Sequence, residues 1–179
     1  ILLGLVGSEM CIRDRLGSNG FPLPDQSTTD AAWVELISTL TGPIQPAVYD
    51  AILHTPRHPL LPQALWEAAS ADQPITTDDG VVAGPGEVAW QLSVIGIEAG
   101  DRVLERSSAR GWRVAVLEAM GAQVSRSGDG PFDLILLEDG HTDEATLRPL
   151  LAPGGRLVVL KPGRLVVVED GQRRTILRL

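Results

Sequence analysis

The stretch RVLERSSARGWRVAVLEAMGAQVS, residues 102–125, decides the fold. Arg102–Arg106 reads as a short strand, Gly111–Met120 as a helix, and Ala122–Ser125 as a second, candidate strand. Further on, FDLILLE, Phe132–Glu138, is a near-continuous apolar run, the pattern of a strand buried on both faces. Strand, helix and strand in immediate succession point to a mostly parallel sheet.

Working outward from this unit, Asp143–Leu151 reads as a helix ended by Pro153-Gly154-Gly155, and Arg156–Leu160 and Leu165–Glu169 read as strands. Asp170-Gly171 is a hairpin turn signal that sends Arg173–Leu179 back as the last strand. Upstream, Asp30 is positioned to cap a helix over Ala31–Leu40, where Trp33, Leu36, Ile37 and Leu40 share one face. Ala47–Leu53 and Gln63–Ser70 are shorter helices, Ala71–Gly86 is a long polar loop, and Pro85 starts a helix over Glu87–Ile95 that Gly96 stops. The expectation is an α/β fold: N-terminal helices, then a mostly parallel sheet with helices on both faces, closed by an antiparallel hairpin. Sheets of this kind bind ligands at the carboxyl ends of their strands, so the loop after the first strand is the first place to look for a site.

The bulk composition agrees with a soluble globular chain having one core. The 179 residues are 44% apolar and 21% charged, and 15 basic against 23 acidic residues leave a net charge of −8. That balance disfavours nucleic acid and membrane surfaces as partners, since both need a basic footprint. No apolar run is long enough to span a bilayer, and the single cysteine, Cys11, has no internal partner, so a reducing cytoplasm is expected. Ile1–Arg15 contains GSEMCIRDR, which resembles translated sequencing-adaptor read-through; residues 1–15 are therefore set aside as an artefactual segment. Residues 16–28, rich in Gly, Pro and Ser, read as a linker, and 29–179 as a single domain.

Several further stretches, taken in order, resemble protein-L-isoaspartate O-methyltransferases. Arg57-His58-Pro59-Leu60-Leu61-Pro62 is similar to that family's RHxFVP segment. Asp72-Gln73-Pro74 stands where the family has Asp-x-Pro, and Val81–Pro85 where it has TISxP. Val103–Trp112 aligns without gaps on VLEVGTGSGY, the loop that cradles the cofactor. Gly128-Asp129-Gly130 with Pro131-Phe132-Asp133, and Leu150–Val158, resemble the GDG, APFD and LLKPGGRLV elements. The resemblance implies a Rossmann-like methyltransferase sheet, S-adenosylmethionine as cofactor, and an isoaspartyl protein or peptide as methyl acceptor. It implies Glu105, Ser107, Ser108, Ala109, Gly111 and Asp129 on the cofactor side, and Asp72, Ala83 and Pro85 on the acceptor side.

Three departures accompany the resemblance. Ser107 and Ala109 replace two of three loop glycines, adding Cβ atoms where a cofactor approaches closely, so weakened binding is expected. Only three residues separate Val124 from Gly128, where the family runs a helix and a further strand, and none of the three is the acid that holds the ribose hydroxyls. Ala83 stands where the family's acceptor-side serine would be. These departures sustain an alternative, a catalytically lapsed methyltransferase fold acting as a protein-binding module, and a third reading, a truncated product of flawed assembly.

Each residue also has a plainer role. Glu105 can be a strand-end acid, Asp72 a capping acid and Asp129 a turn residue. Gly111 serves helix entry and Trp112 the core. Glu138-Asp139-Gly140-His141 reads as a solvated helix entry. His54 and His58 lack metal-ligand spacing, and GxSxG does not occur, so a metal site and a serine-hydrolase elbow are both set aside. Trp33, Trp66, Trp90 and Trp112 belong to the core rather than to a base-stacking platform.

Overall fold

The structure is a computed structural model that describes residues 25–106, 111–138 and 144–178. The expected artefactual segment 1–15, the linker up to residue 24, Ser107, Ser108, Ala109 and His141 lie outside the described residues.

Six strands form one sheet. They are β3 (Arg102–Arg106), β4 (Gln123–Ser125), β5 (Phe132–Glu138), β6 (Leu151–Lys161), β7 (Arg164–Glu169) and β8 (Gln172–Leu177). Their order is β4-β3-β5-β6-β7-β8; the first four are mutually parallel, and β7 and β8 return antiparallel. The turn between β7 and β8 holds Asp170 at φ 48° and Gly171 at φ 78°, the two positive dihedrals a tight hairpin needs. Among the described residues strand β4 pairs only with β3 and forms the edge, and the chain passes straight from it into the loop before β5.

Alternation along the strands sorts the core. Val103, Leu134, Leu136, Val158 and Leu160 face one side, and Leu104, Ile135, Leu137, Leu157 and Val159 face the other. The first side carries α1 (Gln26–Thr39), α2 (Pro46–Leu53), α4 (Pro85–Ile95) and α5 (Trp112–Ala119). Among the described residues the second side is met by Leu147 of α6 (Glu144–Leu147), with Leu150 and Leu151 beside it. The expected two-sided helical cover is therefore lopsided, with most described helices on one face.

Trp33 and Trp112 join the N-terminal helices to the sheet layer. Their rings meet edge to face at 5.9 Å, both are buried, and each indole N–H finds a backbone carbonyl: Trp33 those of Ile52 and Leu53, Trp112 that of Thr55.

Several boundaries differ from the sequence reading, each for a local reason. Helix α1 starts at Gln26 because Asp25, not Asp30, accepts from Thr28 N at 2.8 Å; residues 25–28 belong to its cap and first turn rather than to a linker. Gln63–Ser70 splits into a 3-10 turn, Gln63–Leu65, and the single-turn α3, Trp66–Ala69. The polar loop 71–86 contains a small hairpin, β1 (Ile75–Thr77) with β2 (Gly80–Val82). Pro153-Gly154-Gly155 ends no helix; it lies inside β6, where the register slips between Phe132 and Leu134. A Cβ on Gly155 would sit 2.8 Å from Phe132 O, and one on Gly130 (φ +74°) 2.5 Å from Leu150 O, so these motif glycines serve close backbone packing. Arg156 of the same motif donates to Ile95 O (2.7 Å) and Gly96 O (2.8 Å), capping the end of α4.

Candidate active site

A cavity of about 460 Å3 opens at the carboxyl ends of β5 and β6, within the usual size for a small-molecule site. Asp72, Ala83 and Gly84 form one wall, Glu87 and Gln91 of α4 another, and Arg113, Glu138 and Lys161 close the strand side. The two acceptor-side segments singled out in the sequence, around Asp72 and around Ala83, therefore meet at one cavity.

Arg57 brings them together. Its guanidinium is fully buried and donates to four carbonyls: Ala69 O (2.9 Å, through Nε), Ala83 O (2.8 Å), Ala68 O (3.2 Å) and Ala71 O (2.6 Å). One planar fork thus pins the chain before Asp72 to the chain before Pro85. Burial pushes Arg57 down to about 10 while Asp72 draws it back up, so it is charged at neutral pH. Asp72 accepts from Gly86 N at 2.7 Å, at the start of α4 where helix N–H groups lack partners. It holds the first turn of α4 and lines the cavity. Pro85, buried, occupies the first turn of the helix, where a missing N–H costs nothing.

His58, beside Arg57, is also buried. Gln26 Nε2 lies 2.6 Å from its Nε2, Asp30 Oδ1 lies 3.2 Å away, and Trp66 stands edge-on at 5.1 Å. Burial lowers its titration below the ordinary 6.5, with Asp30 opposing. His58 is a packing residue behind the site, and no group of three or more His, Cys, Asp or Glu that could hold a metal occurs among the described residues.

On the strand side, Glu105 ends β3 almost wholly buried, with Oε1 3.3 Å from an Arg113 guanidinium nitrogen. The same nitrogen lies 3.5 Å from Glu138 Oε1 at the end of β5. Arg113 and Glu138 line the cavity and Glu105 stands behind them. Gly111 adopts φ +74° at the entry of α5, a conformation that suits glycine. Asp129 is not brought to this cavity. It lies in a separate recess beside Arg102 and Gln123, the first residues of β3 and β4.

Sequence reasoning missed several cavity residues. Glu138 lines the cavity paired with Arg113 rather than serving as a solvated helix entry. Arg113 follows the aligned loop directly, and its charge on an otherwise apolar helix face was the available signal. Glu87 accepts from Gly163 N (3.1 Å) and Arg178 (3.0 Å), tying the β6–β7 turn to α4; no local pattern announces a contact of that sequence separation.

No protein-family model matches the chain. Curated relatives do. The protein-L-isoaspartate O-methyltransferase of Methylorubrum extorquens (strain PA1) is 31% identical over 173 residues, covering 77% of this chain and 76% of that one. That of Methylorubrum populi is 29% identical over 169 residues, covering 73% and 80%. Among solved structures, a Plasmodium falciparum protein described as a protein-L-isoaspartate O-methyltransferase, in complex with S-adenosyl-L-homocysteine, superposes with a TM-score of 0.60 at 17% identity, covering 82% of this chain and 95% of that chain. Another protein-L-isoaspartate O-methyltransferase gives 0.61 at 19%, covering 84% and 64%. The structural likeness establishes the Rossmann-like methyltransferase fold, and with the sequence identity over three quarters of each chain it is clear that this chain belongs to the protein-L-isoaspartate O-methyltransferase family.

Proposed function

We propose that the chain transfers a methyl group from S-adenosylmethionine to a side-chain carboxylate, that of an isoaspartyl residue in a damaged protein or peptide. The observation that carries this reading is the cavity of about 460 Å3 at which the Asp72 and Ala83–Gly84 segments face the carboxyl ends of the parallel strands. The residues present fit the cofactor: a buried carboxylate, Glu105, keeps Oε2 without a partner among the described residues, and Gly111 turns the chain beside it. Glu105 and Gly111 would hold the cofactor, and in the alignment Ser107, Ser108 and Ala109 complete that side. Asp129, remote from the cavity, has no part in this proposal.

Bound S-adenosylmethionine supplies a methyl group on a positively charged sulfur. A carboxylate acceptor is already deprotonated at neutral pH, so the chain's task is positioning rather than proton transfer. Arg57 and Asp72 fix the acceptor wall, the first by four carbonyl bonds and the second through Gly86 N. Lys161 and Arg178 also line the cavity, Arg178 held by Glu87 at 3.0 Å. Ala83 contributes its carbonyl to Arg57 and a methyl surface to the cavity.

Calorimetric titration of S-adenosylhomocysteine tests the cofactor half, and methyl transfer to an isoaspartyl peptide against its aspartyl twin tests the acceptor half. Saturable one-site binding with transfer to the isoaspartyl peptide alone is expected. A folded sample giving no heat at any accessible concentration overturns the reading in favour of a lapsed, protein-binding fold.

A further inference from the structure

The first turn of α4 joins two walls of the cavity. Gly86 N donates to Asp72 on the acceptor wall, and the next residue, Glu87, reaches the strand side. Glu87 Oε1 accepts from Gly163 N (3.1 Å) in the β6–β7 turn, and its Oε2 from the Arg178 guanidinium (3.0 Å) just past β8. Arg178 N in turn donates to Gly163 O at 2.9 Å, so the three residues close a ring. Gln91, one helical turn along α4, donates to Glu87 Oε1 at 2.9 Å and holds the carboxylate in place. Two features set this ring apart from an ordinary surface ion pair. Pro162 and Gly163 are the two loop residues beyond the last ladder pair, Lys161 with Arg164, and both backbone polar groups of Gly163 are taken up by the ring. Pro162 and Arg178 also line the cavity, together with Glu87 and Gln91. A helix and a hairpin turn share no backbone ladder, so this part of the wall is joined to α4 through side chains.

We propose that Glu87 is a positioning residue for the methyl acceptor: through Gly163 and Arg178 it holds the β6–β7 turn as a preformed wall of the cavity. The acceptor then binds without having to order that wall. Glu87 acts through the turn and touches no reacting atom. Without the ring, apparent affinity for a ligand that needs the wall falls to the fraction of molecules in which the wall is in place. An acceptor that has bound still reacts with the wall formed around it, so the signature is a raised KM with kcat retained. The acceptor's chemistry, an isoaspartyl carboxylate, rests on the function proposed above; the hold on the turn does not.

The test compares Glu87→Ala, Arg178→Ala and the double variant with wild type, all as the full chain. Glu87→Gln, which keeps one acceptor oxygen for Gly163 N and is expected to have a smaller effect in the same direction, stands in should the alanine variant not fold. Amide exchange reads the hold on the turn: protection at Gly163 and Arg178 is expected to fall in Glu87→Ala while the core of α4 keeps its own. Methyl transfer to an isoaspartyl peptide reads its use. The KM for the peptide is expected to rise about tenfold, the order of one hydrogen-bonded contact, with kcat within about twofold of wild type. Affinity for S-adenosylhomocysteine is expected to stay as in wild type. The double variant is expected to be no worse than Glu87→Ala, because both changes open one ring. Unchanged exchange at Gly163 overturns the proposal, as does lost protection with an unchanged KM. A KM that falls in Glu87→Ala overturns it too, since Arg178, once released, would then be receiving the acceptor's carboxylate itself. If wild type transfers no methyl group, the proposed function falls, and exchange at Gly163 alone decides for or against the hold of Glu87 on the turn.

Discussion

Replacing Arg57 by methionine tests whether the acceptor wall is held by one side chain. The guanidinium makes four hydrogen bonds to the carbonyls of Ala68, Ala69, Ala71 and Ala83. Bonds to a charged donor contribute about 1.5–3 kcal/mol each in isolation, so a naive sum would reach about 6–12 kcal/mol. That sum overshoots, because removing the charge also removes the desolvation that pushes Arg57 down to about 10. What persists is the cost of carbonyls left without partners, and comparable buried deletions cost about 3–5 kcal/mol. For a chain of this size that corresponds to a fall in Tm of about 6–20 °C. Lysine is not a conservative replacement: its three donors radiate from one atom and cannot span carbonyls that come from both segments. Arg57→Lys is expected to lose about 2–3 kcal/mol, between wild type and Arg57→Met. Urea denaturation provides the stability. Amide exchange provides its location, with the loss of protection concentrated in residues 68–86. If Arg57→Met stays within about 1 kcal/mol of wild type, the four carbonyls are satisfied by other means and the clamp argument fails.

Three further outcomes follow from the same structure. Burial depresses His58 below 6.5, so the folded state favours its neutral form; that stability is complete above the unfolded value and is lost as pH falls through the lower folded value. Urea midpoints should therefore drop between about pH 7 and pH 5 more steeply in wild type than in His58→Gln, and parallel curves would refute it. Gly86→Ala puts a Cβ 2.4 Å from Asp72 Oδ2, a side-chain tip that can move, while alanine favours the helix by up to about 1 kcal/mol; stability should change by less than about 1 kcal/mol while the acceptor KM rises. Gly130→Ala meets the backbone oxygen of Leu150 at 2.5 Å with φ at +74°, so it should cost about 2–4 kcal/mol in thermal unfolding, and a change under about 0.5 kcal/mol would show that the β5–β6 contact is looser than described.

Local pattern carried most of the fold. The apolar run Phe132–Glu138 is the strand it reads as, and the Asp170-Gly171 turn has the two positive dihedrals its dipeptide suggests. Misreadings came where a distant contact outweighs a local preference. Pro153-Gly154-Gly155 looks like a helix stop, yet pairing with β5 draws it into a strand, with the surplus residues taken up by a register shift. Asp30 and Asp25 are both good capping residues, and the helix starts at Gln26 because it is Asp25 that accepts from a free first-turn N–H, that of Thr28. The site was legible in part. Asp72 and Ala83 do converge on one cavity, since they sit in segments tied by Arg57. Arg113 has no assignment in the sequence and Glu138 reads only as a helix entry, because their pairing needs a helix residue to meet the ends of two neighbouring strands, a contact no local pattern encodes.

The position of Arg57 explains why the N-terminal helices accompany this sheet. An acceptor wall made of loops 68–72 and 83–86 has no ladder of its own beyond the three-residue strands β1 and β2. Its geometry must be imposed from outside. Arg57 imposes it from one side, and Arg57 is itself held between α2 and the turn that carries buried His58. Helix α2 in turn rests beneath Trp33, whose ring packs on Trp112 at the start of α5, one residue before Arg113. The two tryptophans thus join the start of α5 to the carbonyl end of α2, and Arg57, four residues beyond α2, holds the loops that line the cavity. Methyl transfer depends on the spacing of its two partners, and on the function proposed above the helices that anchor Arg57 would share in setting it.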